Sequence, residues 1–355
     1  MRRKAPAIGA RCFSEKTLGK ERAMVTFGIR FLDHLAPART LVEWAVLAEK
    51  KGFDYCWFPH DILCKNTWIM TTAVAMMTQK IRIGSVGTNP YTTDPSEIAT
   101  YLATLDELSE GRAVLGLGLH TEKMVEWLGI EVKDKMARTR EAIEIIRLLL
   151  RGAVVDYQGK EFQWTDQCYL RFKPYRDRVP IYACGFGADY LALTGEIGDG
   201  SLPMVTPPES ARLMVKAIHE GLLTSGRKPE DIDIAGCAWF SISESKKSAQ
   251  DTIRKIIAYF GPYLEEEALN TVGLSLRQFE EIKQKVTMGQ YSEAESLVTD
   301  QMLDLAVVGT PRQVIPRIEL LLESGITQVA VGGPLGPDPR RTIELLGDEV
   351  LPYFR

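Results

Sequence analysis

The chain alternates between short apolar segments and longer amphipathic segments along most of its length. The short segments are rich in β-branched and aromatic residues, as strands are, and the longer ones carry the 3.6-residue apolar period of helices. Eight predicted strands, each followed by a predicted helix, cover residues 25–31, 55–58, 81–86, 113–117, 181–184, 201–204, 232–242 and 328–331. Since a closed (β/α)8 barrel needs eight such units, the sequence predicts an α/β fold of the TIM-barrel type.

A doubly wound open sheet is the alternative architecture for alternating strands and helices. The first predicted strand is not followed by the G-x-G-x-x-G turn that typically binds dinucleotides in such sheets, so the barrel is favoured. The regular spacing breaks at about 261–304, which shows helical pattern without a strand. We interpret this segment as a helical insertion before strand 8, within a single domain of residues 24–355, because it is too short to form its own core.

Composition and charge exclude several classes of partner. A net charge of −4 argues against a nucleic-acid surface, and no apolar run is long enough to span a membrane. The six cysteines form no C-x-x-C pair, which predicts reduced thiols in a cytoplasmic protein and no metal site. Residues 1–23 are basic and lack the apolar stretch of a secretory signal, so we expect a flexible N-terminal extension.

The functional site of a TIM barrel lies at the carboxyl ends of its strands, and this rule selects polar residues of the chain. The candidates for catalysis are Arg30 after the first strand, His60 and Asp61 after the second, and His120 and Glu122 after the fourth. A histidine beside a carboxylate can move protons near neutral pH, although a half-buried structural His60 or a turn-capping His120 explains the same sequence. Arg30 implies an anionic ligand or a carboxylate partner, because an uncompensated buried charge is costly.

Two further stretches lie at the same end of the predicted barrel. In CGFGADY (184–190), Gly185 and Gly187 precede a predicted helix, whose free N–H groups favour a phosphate. A tight turn between strand and helix explains the two glycines equally well. The stretch GSVGTNPYTTDP (84–95) follows the third strand, and its Asp94 is the predicted N-cap of the next helix.

Segments 85–118, 185–200 and 307–338 together resemble the bacterial luciferase-like superfamily. Within it, the motifs TNPYT, LDELSEGRA and GGPLGPD are most similar in order and spacing to the coenzyme F420-dependent methylene-tetrahydromethanopterin reductases. The resemblance runs from about Val25 to the end of the chain. It implies a TIM barrel that binds a flavin-like ring at its carboxyl face and an oxidoreductase that transfers hydride between the deazaflavin C5 and an organic substrate.

The resemblance also implies which residues hold the cofactor. In this family the third strand ends in a bulge with a non-prolyl cis peptide against the ring, which by position is Val86–Gly87, with Ser85–Val86 as the next candidate. Thr88 and Asn89 would bond the polar edge of the ring or the ribityl chain, and the backbone after the fifth strand would hold the phosphate. The implied cofactor-binding set is Ser85, Val86, Gly87, Thr88, Asn89, Thr121, Gly185, Phe186, Gly187 and Ala188.

The chain departs from the reductases at the mouth of the barrel. Arg30 and Thr121 stand where those proteins carry Glu and Asp, and the pair His60–Asp61 replaces Asp-His. The loss of two acidic groups removes the proton donors expected for a pterin imine, so the substrate stays open. Arg30 can bind a carboxylate or polarise a carbonyl, with His60 or His120 as acid or base and Glu122 as a helper.

Two other functions share this fold. An FMN-dependent luciferase-type monooxygenase would react reduced FMN with oxygen, and a non-enzymatic relative would bind a cofactor without turning it over. For every alternative we expect a small-molecule ligand and a homo-oligomer, a dimer or tetramer, as is usual in the family.

Overall fold

The computed structural model describes residues 25–118 and 122–355. The predicted N-terminal extension 1–23, His120 and Thr121 lie outside the described residues. Eleven strands are described: β1 (Thr26–Arg30), β2 (Tyr55–Pro59), β3 (Arg82–Val86), β4 (Ala113–Leu117), β5 (Val155–Gln158), β6 (Gln163–Cys168), β7 (Ile181–Gly185), β8 (Gly200–Pro203), β9 (Asp233–Ile242), β10 (Val307–Gly309) and β11 (Gln328–Leu335).

Eight of these strands form a closed parallel barrel in the order β1-β2-β3-β4-β7-β8-β9-β11. Closure follows because β11 pairs with β1 on one side and with β9 on the other, while β9 also pairs with β8. The predicted TIM barrel is therefore confirmed. The remaining strands are additions, since β5 and β6 form a separate antiparallel hairpin and β10 extends the carboxyl end of β9.

Helices follow the barrel strands and cover them on the outside. They are α1 (Ala38–Lys50), α2 (Thr67–Met77), α3 (Pro95–Leu108), α4 (Glu122–Glu126), α5 (Lys135–Leu150), α6 (Ala188–Ile197), α7 (Ala211–Thr224), α8 (Lys246–Phe260), α9 (Glu266–Asn270), α10 (Glu280–Thr287), α11 (Tyr291–Ser296), α12 (Pro311–Glu323) and α13 (Pro339–Leu345). None of the helices within 25–118 and 122–355 is long and apolar enough to cross a membrane.

The centre of the barrel is filled by a tryptophan that lies against glycines. A Cβ atom on Gly84 would come within 2.4 Å of the Trp57 ring, and one on Gly28 would come within 2.9 Å of Trp57 Nε1. Trp57 is fully buried, and its Nε1 donates to Gln328 Oε1 at 2.9 Å. The indole occupies this space because the facing positions of β1 and β3 carry no side chain.

A hydrogen-bonded network closes the amino-terminal end of the barrel. Asp233 Oδ2 accepts from Tyr182 Oη at 2.6 Å and from Gln328 Nε2 at 2.9 Å, and its Oδ1 accepts from Thr327 Oγ1. Tyr55 Oη accepts from Arg82 and lies 3.3 Å from Tyr182 Oη. Because these polar groups satisfy one another, they can be buried at little cost.

The segment 261–305, which includes the sequence predicted as an insertion, is helical and packs on the barrel. It contains α9, α10 and α11 with three short 3-10 turns, and its apolar residues share one cluster with α8 and with Trp239 of β9. Phe279, Ile282 and Leu303 are buried in that cluster. The sequence analysis did not identify the β5–β6 hairpin, β10 or α4, because short strands and short helices carry little periodicity. It also left out α12, although this helix has 13 residues and its buried residues Val314, Ile318 and Leu321 are spaced as on one face of a helix.

We expect Gly84→Ala to destabilise the protein by about 1–3 kcal/mol, because the added methyl group would overlap the Trp57 ring and Val114. Urea denaturation would measure the change. The double variant with Trp57→Phe serves as the control, since the smaller ring makes room and the combined cost should be less than the sum. An unfolding midpoint unchanged by Gly84→Ala would contradict this account of the core.

Candidate functional site

The register of the strands places four side chains in one layer near the carboxyl end of the barrel. With the shear of an eight-stranded barrel, alternate strands contribute Arg30, Val86, Cys184 and Cys237 to this layer. The layer above is formed by Pro59, Gly118, Met204 and Gly332. Two of these four positions are glycines that the neighbouring backbone approaches closely: a Cβ atom on Gly118 would lie 1.9 Å from Cys184 O, and one on Gly332 would lie 2.5 Å from Ala238 O.

Arg30 points into the barrel. Its neighbours Ile29 and Phe31 belong to the outer core, and Arg30 forms a hydrogen bond with the Cys237 thiol. Burial raises the pKa of the Cys184 thiol to about 12, and the charge of Arg30 opposes that shift. Arg30 Nε is buried and has no hydrogen-bond partner within the described residues.

Asp33 follows β1 and faces the loop after β2. Lys65 Nζ donates to the Asp33 carbonyl oxygen, and the Asp33 carboxylate bonds to Cys64. Burial raises the pKa of Asp33, while the bond to Cys64 and the charge of Lys65 oppose the rise. Asp33 Oδ2 is buried without a hydrogen-bond partner in the described part of the chain, which leaves an acceptor for a ligand or water.

His60 packs against α2, and its backbone N–H is hydrogen-bonded to the neighbouring strand β3. The backbone N–H donates to Val86 O at 3.0 Å, and the imidazole contacts the Trp68 ring edge to face at 6.3 Å between centroids. Burial lowers the pKa of His60 below its ordinary value, so the ring is neutral at pH 7. Among the described residues, no group bonds to His60 Nδ1 or to Trp68 Nε1, although both atoms are buried.

The segment after β3 crosses to β4. The Thr88 N–H donates to Gly116 O at 2.8 Å, and Gly118 N–H donates to Thr88 O at 3.0 Å. The hydroxyl of Thr88 donates to Ser85 Oγ at 2.8 Å, which in turn lies 3.2 Å from Gly116 O. The Ser85 and Thr88 hydroxyls therefore form hydrogen bonds within the protein. They act on a ligand indirectly, because they position the backbone of this segment.

The cis peptide expected at the end of β3 is not present. The one cis bond in residues 25–118 and 122–355 is Gly333–Pro334, so Val86–Gly87 and Ser85–Val86 are trans and the prediction was wrong. The chain turns here instead because Gly87 adopts a φ of +68°, a conformation that a glycine takes without a steric penalty. Val86 stays fully buried in the barrel.

Asn89 organises the turn that follows. Its Oδ1 accepts from Tyr91 N at 3.2 Å, from Thr92 N at 2.9 Å and from Thr92 Oγ1 at 2.9 Å. The amide oxygen is thus taken by the turn and is not offered to a ring edge. The predicted N-cap of the next helix is confirmed, because Asp94 Oδ1 accepts from Ser96 N at 2.9 Å.

The end of β7 and the loop after it contain Gly185 and Gly187, which the sequence explained either by a phosphate site or by a tight turn. A Cβ atom on Gly185 would lie 2.2 Å from the Tyr190 ring, so packing alone requires that glycine. Gly187 adopts a φ of +84° and is the N-cap of α6, which has no side-chain cap. Phe186 and Ala188 are exposed on either side of it. The first N–H groups of α6 are therefore available to an anion.

The segment 261–305 reaches this loop. Glu265 Oε1 lies 3.5 Å from the position of a Cβ atom on Gly187, which puts an exposed carboxylate beside the N-terminus of α6. A carboxylate is attracted by the positive end of the helix dipole and occupies the region that a phosphate would use. Nothing in the spacing of Glu265 and Gly187 along the chain could have indicated this contact.

The structure brings only part of the sequence-predicted set together. Arg30 shares a layer with Val86, and the backbone N–H of His60 is bonded to that same residue, whereas Asp61 lies near Asp33. Glu122 begins α4. Sequence reasoning missed Trp68 and Cys237, since a tryptophan in an apolar helix and a cysteine in an apolar strand look like core residues.

Comparison with known proteins was consistent with this geometry. The family model for luciferase-like monooxygenases matches residues 18–328. The 5,10-methylenetetrahydromethanopterin reductase of Archaeoglobus fulgidus is 34% identical over 93% of this chain and 99% of its own length. An F420-dependent glucose-6-phosphate dehydrogenase of Amycolatopsis mediterranei is 28% identical over 89% of this chain and 95% of its own.

Among solved structures, the coenzyme F420-dependent tetrahydromethanopterin reductase of Methanopyrus kandleri superposes with a TM-score of 0.89. It is 30% identical in sequence, and the match covers 94% of this chain and all of that one, 100%. The resemblance stated from the sequence motifs is thereby confirmed. The chain belongs to the luciferase-like family.

Proposed function

We propose that this protein is an oxidoreductase that uses coenzyme F420 and transfers hydride between the deazaflavin C5 and an organic substrate. The observation that carries the proposal is the nearly full-length similarity to proteins whose names state F420 dependence. Arg30 in place of an acidic residue argues against a strict methylene-tetrahydromethanopterin reductase and leaves the substrate to be identified.

The residues at the carboxyl end of the barrel fit such a cofactor. Four buried polar atoms on the first two β/α units have no partner among the described residues, which is the pattern of a site that a polar ligand completes: Arg30 Nε, Asp33 Oδ2, His60 Nδ1 and Trp68 Nε1. The backbone at Val86 and Gly87 would support the ring, and the backbone from Gly185 to Ala188 would hold the phosphate. When bound, the deazaflavin supplies the hydride chemistry.

The side chains of the mouth provide binding and proton transfer. Arg30 supplies a fixed positive charge for an electron-rich oxygen of the substrate. His60 is neutral at pH 7, so it can take up the proton released when a substrate hydroxyl is oxidised and return it in the reverse direction. Asp61, His120 and Glu122 are proposed to assist this transfer, and Thr121 to contact the cofactor.

An FMN-dependent monooxygenase is the second candidate, because the matching family model is described as luciferase-like monooxygenase. We expect the purified protein to bind F420 with a shift of the visible deazaflavin band and to bind FMN more weakly. Preferential binding of FMN, together with oxygen uptake in the presence of reduced FMN, would favour the monooxygenase instead.

We expect His60→Gln to keep the Kd for F420 within about twofold and to lower turnover by about 10²–10⁴-fold, as loss of a general acid or base does. Turnover can be followed as F420 reduction with a panel of alcohols, aldehydes and hydroxy acids. His219→Gln on α7 is the matched control and should behave as wild type. Equal turnover by the His60 variant would remove this residue from the mechanism.

We expect Glu265→Gln to tighten F420 binding about two- to fivefold, because it removes a carboxylate from the region where the cofactor phosphate would bind. The estimate corresponds to about 0.5–1 kcal/mol for one exposed charge interaction. Glu267→Gln, two residues along on α9, is the control with the same change of net charge. Fluorescence titration at two salt concentrations measures both, and an unchanged Kd for Glu265→Gln would place the phosphate elsewhere.

We further propose that the protein is a homodimer in which α2 and α3 form the contact. Helix α2 (TWIMTTAVAMM) has no charged residue. One of its faces is buried, and a second stripe of apolar residues lies on the opposite, exposed face. Ile69 and Met76, seven residues apart on that stripe, are 70% and 62% exposed. The Tyr101 ring of α3 lies 5.1 Å from that of Trp68, so the stripe continues onto the next helix. Exposed apolar faces of this kind are typical of subunit interfaces.

Sedimentation velocity tests the dimer. We expect Ile69→Lys or Met76→Lys to give a monomer at concentrations at which the wild type is dimeric, because a charge buried without a partner opposes association. Leu223→Lys is the control, since Leu223 is 75% exposed but lies on α7. A wild-type protein that sediments as a monomer at every concentration would rule the contact out.

A further inference from the structure

We propose that Arg30 binds a carboxylate group of the substrate, so that the substrates of this protein are organic acids. The inference rests on the proposed function, because it identifies the group that Arg30 contacts in that same site. It follows from where the guanidinium lies, from the absence of a counter-ion for it within the described residues, and from the geometry of the two charged groups.

The guanidinium lies among neutral groups. Its layer contains Val86 and the thiols of Cys184 and Cys237, both of which are fully buried and hold their protons because burial raises their pKa. The layer above has glycines at two of its four positions. The layer of Arg30 therefore contains no negative charge.

Two of the carboxylates nearest to Arg30 along the chain or around the barrel have other partners. Asp33, three residues along the chain, bonds to Cys64 and is influenced by Lys65 and Asp61, with no contribution from Arg30. Asp233 begins β9 at the amino-terminal end of the barrel, where its carboxylate accepts hydrogen bonds from Tyr182, Thr327 and Gln328. Among the side chains that the structure describes, those of 25–118 and 124–355, none forms an ion pair with Arg30.

An unpaired charge of this kind is costly, and removing the partner of a buried ion is strongly destabilising. A ligand that carries the missing anion recovers that cost when it binds. The guanidinium is a planar fork whose parallel N–H groups match the two oxygens of a carboxylate.

The charged end of the cofactor is assigned to the other side of the mouth. Around the barrel, β7 stands four strands away from β1 in either direction, and the phosphate is proposed to bind at the start of α6 directly after β7. A molecule that extends from β1 toward the centre thus has Arg30 beneath it, and this is the side left for the substrate. A substrate carboxylate held there would orient the reacting carbon toward the cofactor ring.

The first measurement requires no cofactor or substrate. Arg30→Met should raise the melting temperature of the ligand-free protein, because it replaces an uncompensated charge by an apolar side chain of similar length. Arg39→Met, on the exposed face of α1, is the matched control and should leave it unchanged. A melting temperature lowered by Arg30→Met would show that the guanidinium already has an anionic partner in the protein and would overturn the proposal.

The second measurement compares acids with their esters. Acetate, crotonate and benzoate, each paired with its methyl ester, are titrated calorimetrically into F420-loaded protein. We expect at least one acid to bind about tenfold or more tightly than its ester, this preference to vanish in Arg30→Met, and part of it to persist in Arg30→Lys. If none of the three acids is preferred, or if Arg30→Met weakens F420 by the same factor, the proposal is wrong.

The measurements distinguish F420 dependence from carboxylate binding by Arg30. A protein that does not bind F420 contradicts the proposed function, and the assignment of Arg30 is then decided by the same acid–ester pairs titrated into the cofactor-free protein. A protein that binds F420 and shows no preference for acids keeps the proposed function and loses the substrate class.

Discussion

The packing of Trp57 in the centre of the barrel is the constraint on which the rest of the structure depends. An eight-stranded barrel must fill its interior with side chains, and here one indole occupies the space that Gly28 and Gly84 leave free. Its hydrogen bond to Gln328 connects the indole to Asp233 and Tyr182. The buried polar groups in the lower, amino-terminal half of the barrel therefore have hydrogen-bond partners. The upper half carries smaller residues, with glycines at positions 118 and 332.

Buried polar groups differ in hydrogen bonding between the two ends of the barrel. At the amino-terminal end, buried hydroxyl, amide and carboxylate groups bond to one another and stabilise the fold. At the carboxyl end, atoms of Arg30, His60 and Trp68 are buried without partners in the described parts of the chain. Stability and ligand binding are thus assigned to different layers of the same eight strands, as is usual for TIM barrels.

The segment between α8 and β10 links the outside of the barrel to its site. Its apolar residues share a core with α8 and Trp239, and this packing holds Glu265 beside Gly187. A carboxylate at the N-terminus of α6 stabilises the helix in the absence of a ligand but competes with an incoming anion. The affinity for a phosphate-bearing cofactor therefore depends on residues that lie far from the barrel strands.

Much of this arrangement could be predicted from the sequence, and the limits have a physical cause. The strand and helix boundaries, the N-cap at Asp94 and the position of Arg30 at the end of β1 follow from local periodicity and local hydrogen bonding, which are written in neighbouring residues. The expected cis bond at Val86–Gly87 was wrong because Gly87 turns the chain through its positive φ. The hydroxyls of Ser85 and Thr88 looked like ligand contacts and are instead used by β4, which begins 25 residues after Thr88, at Ala113.

The sequence by itself determined that eight β/α units close into a barrel and which residues stand at the carboxyl ends of its strands. Only the tertiary structure decided that Arg30 has neutral neighbours, that His60 is buried against Trp68, and that Glu265 meets α6. These facts arise from contacts between residues distant along the chain, and the charge, burial and pKa of a group depend on such contacts rather than on its neighbours in sequence.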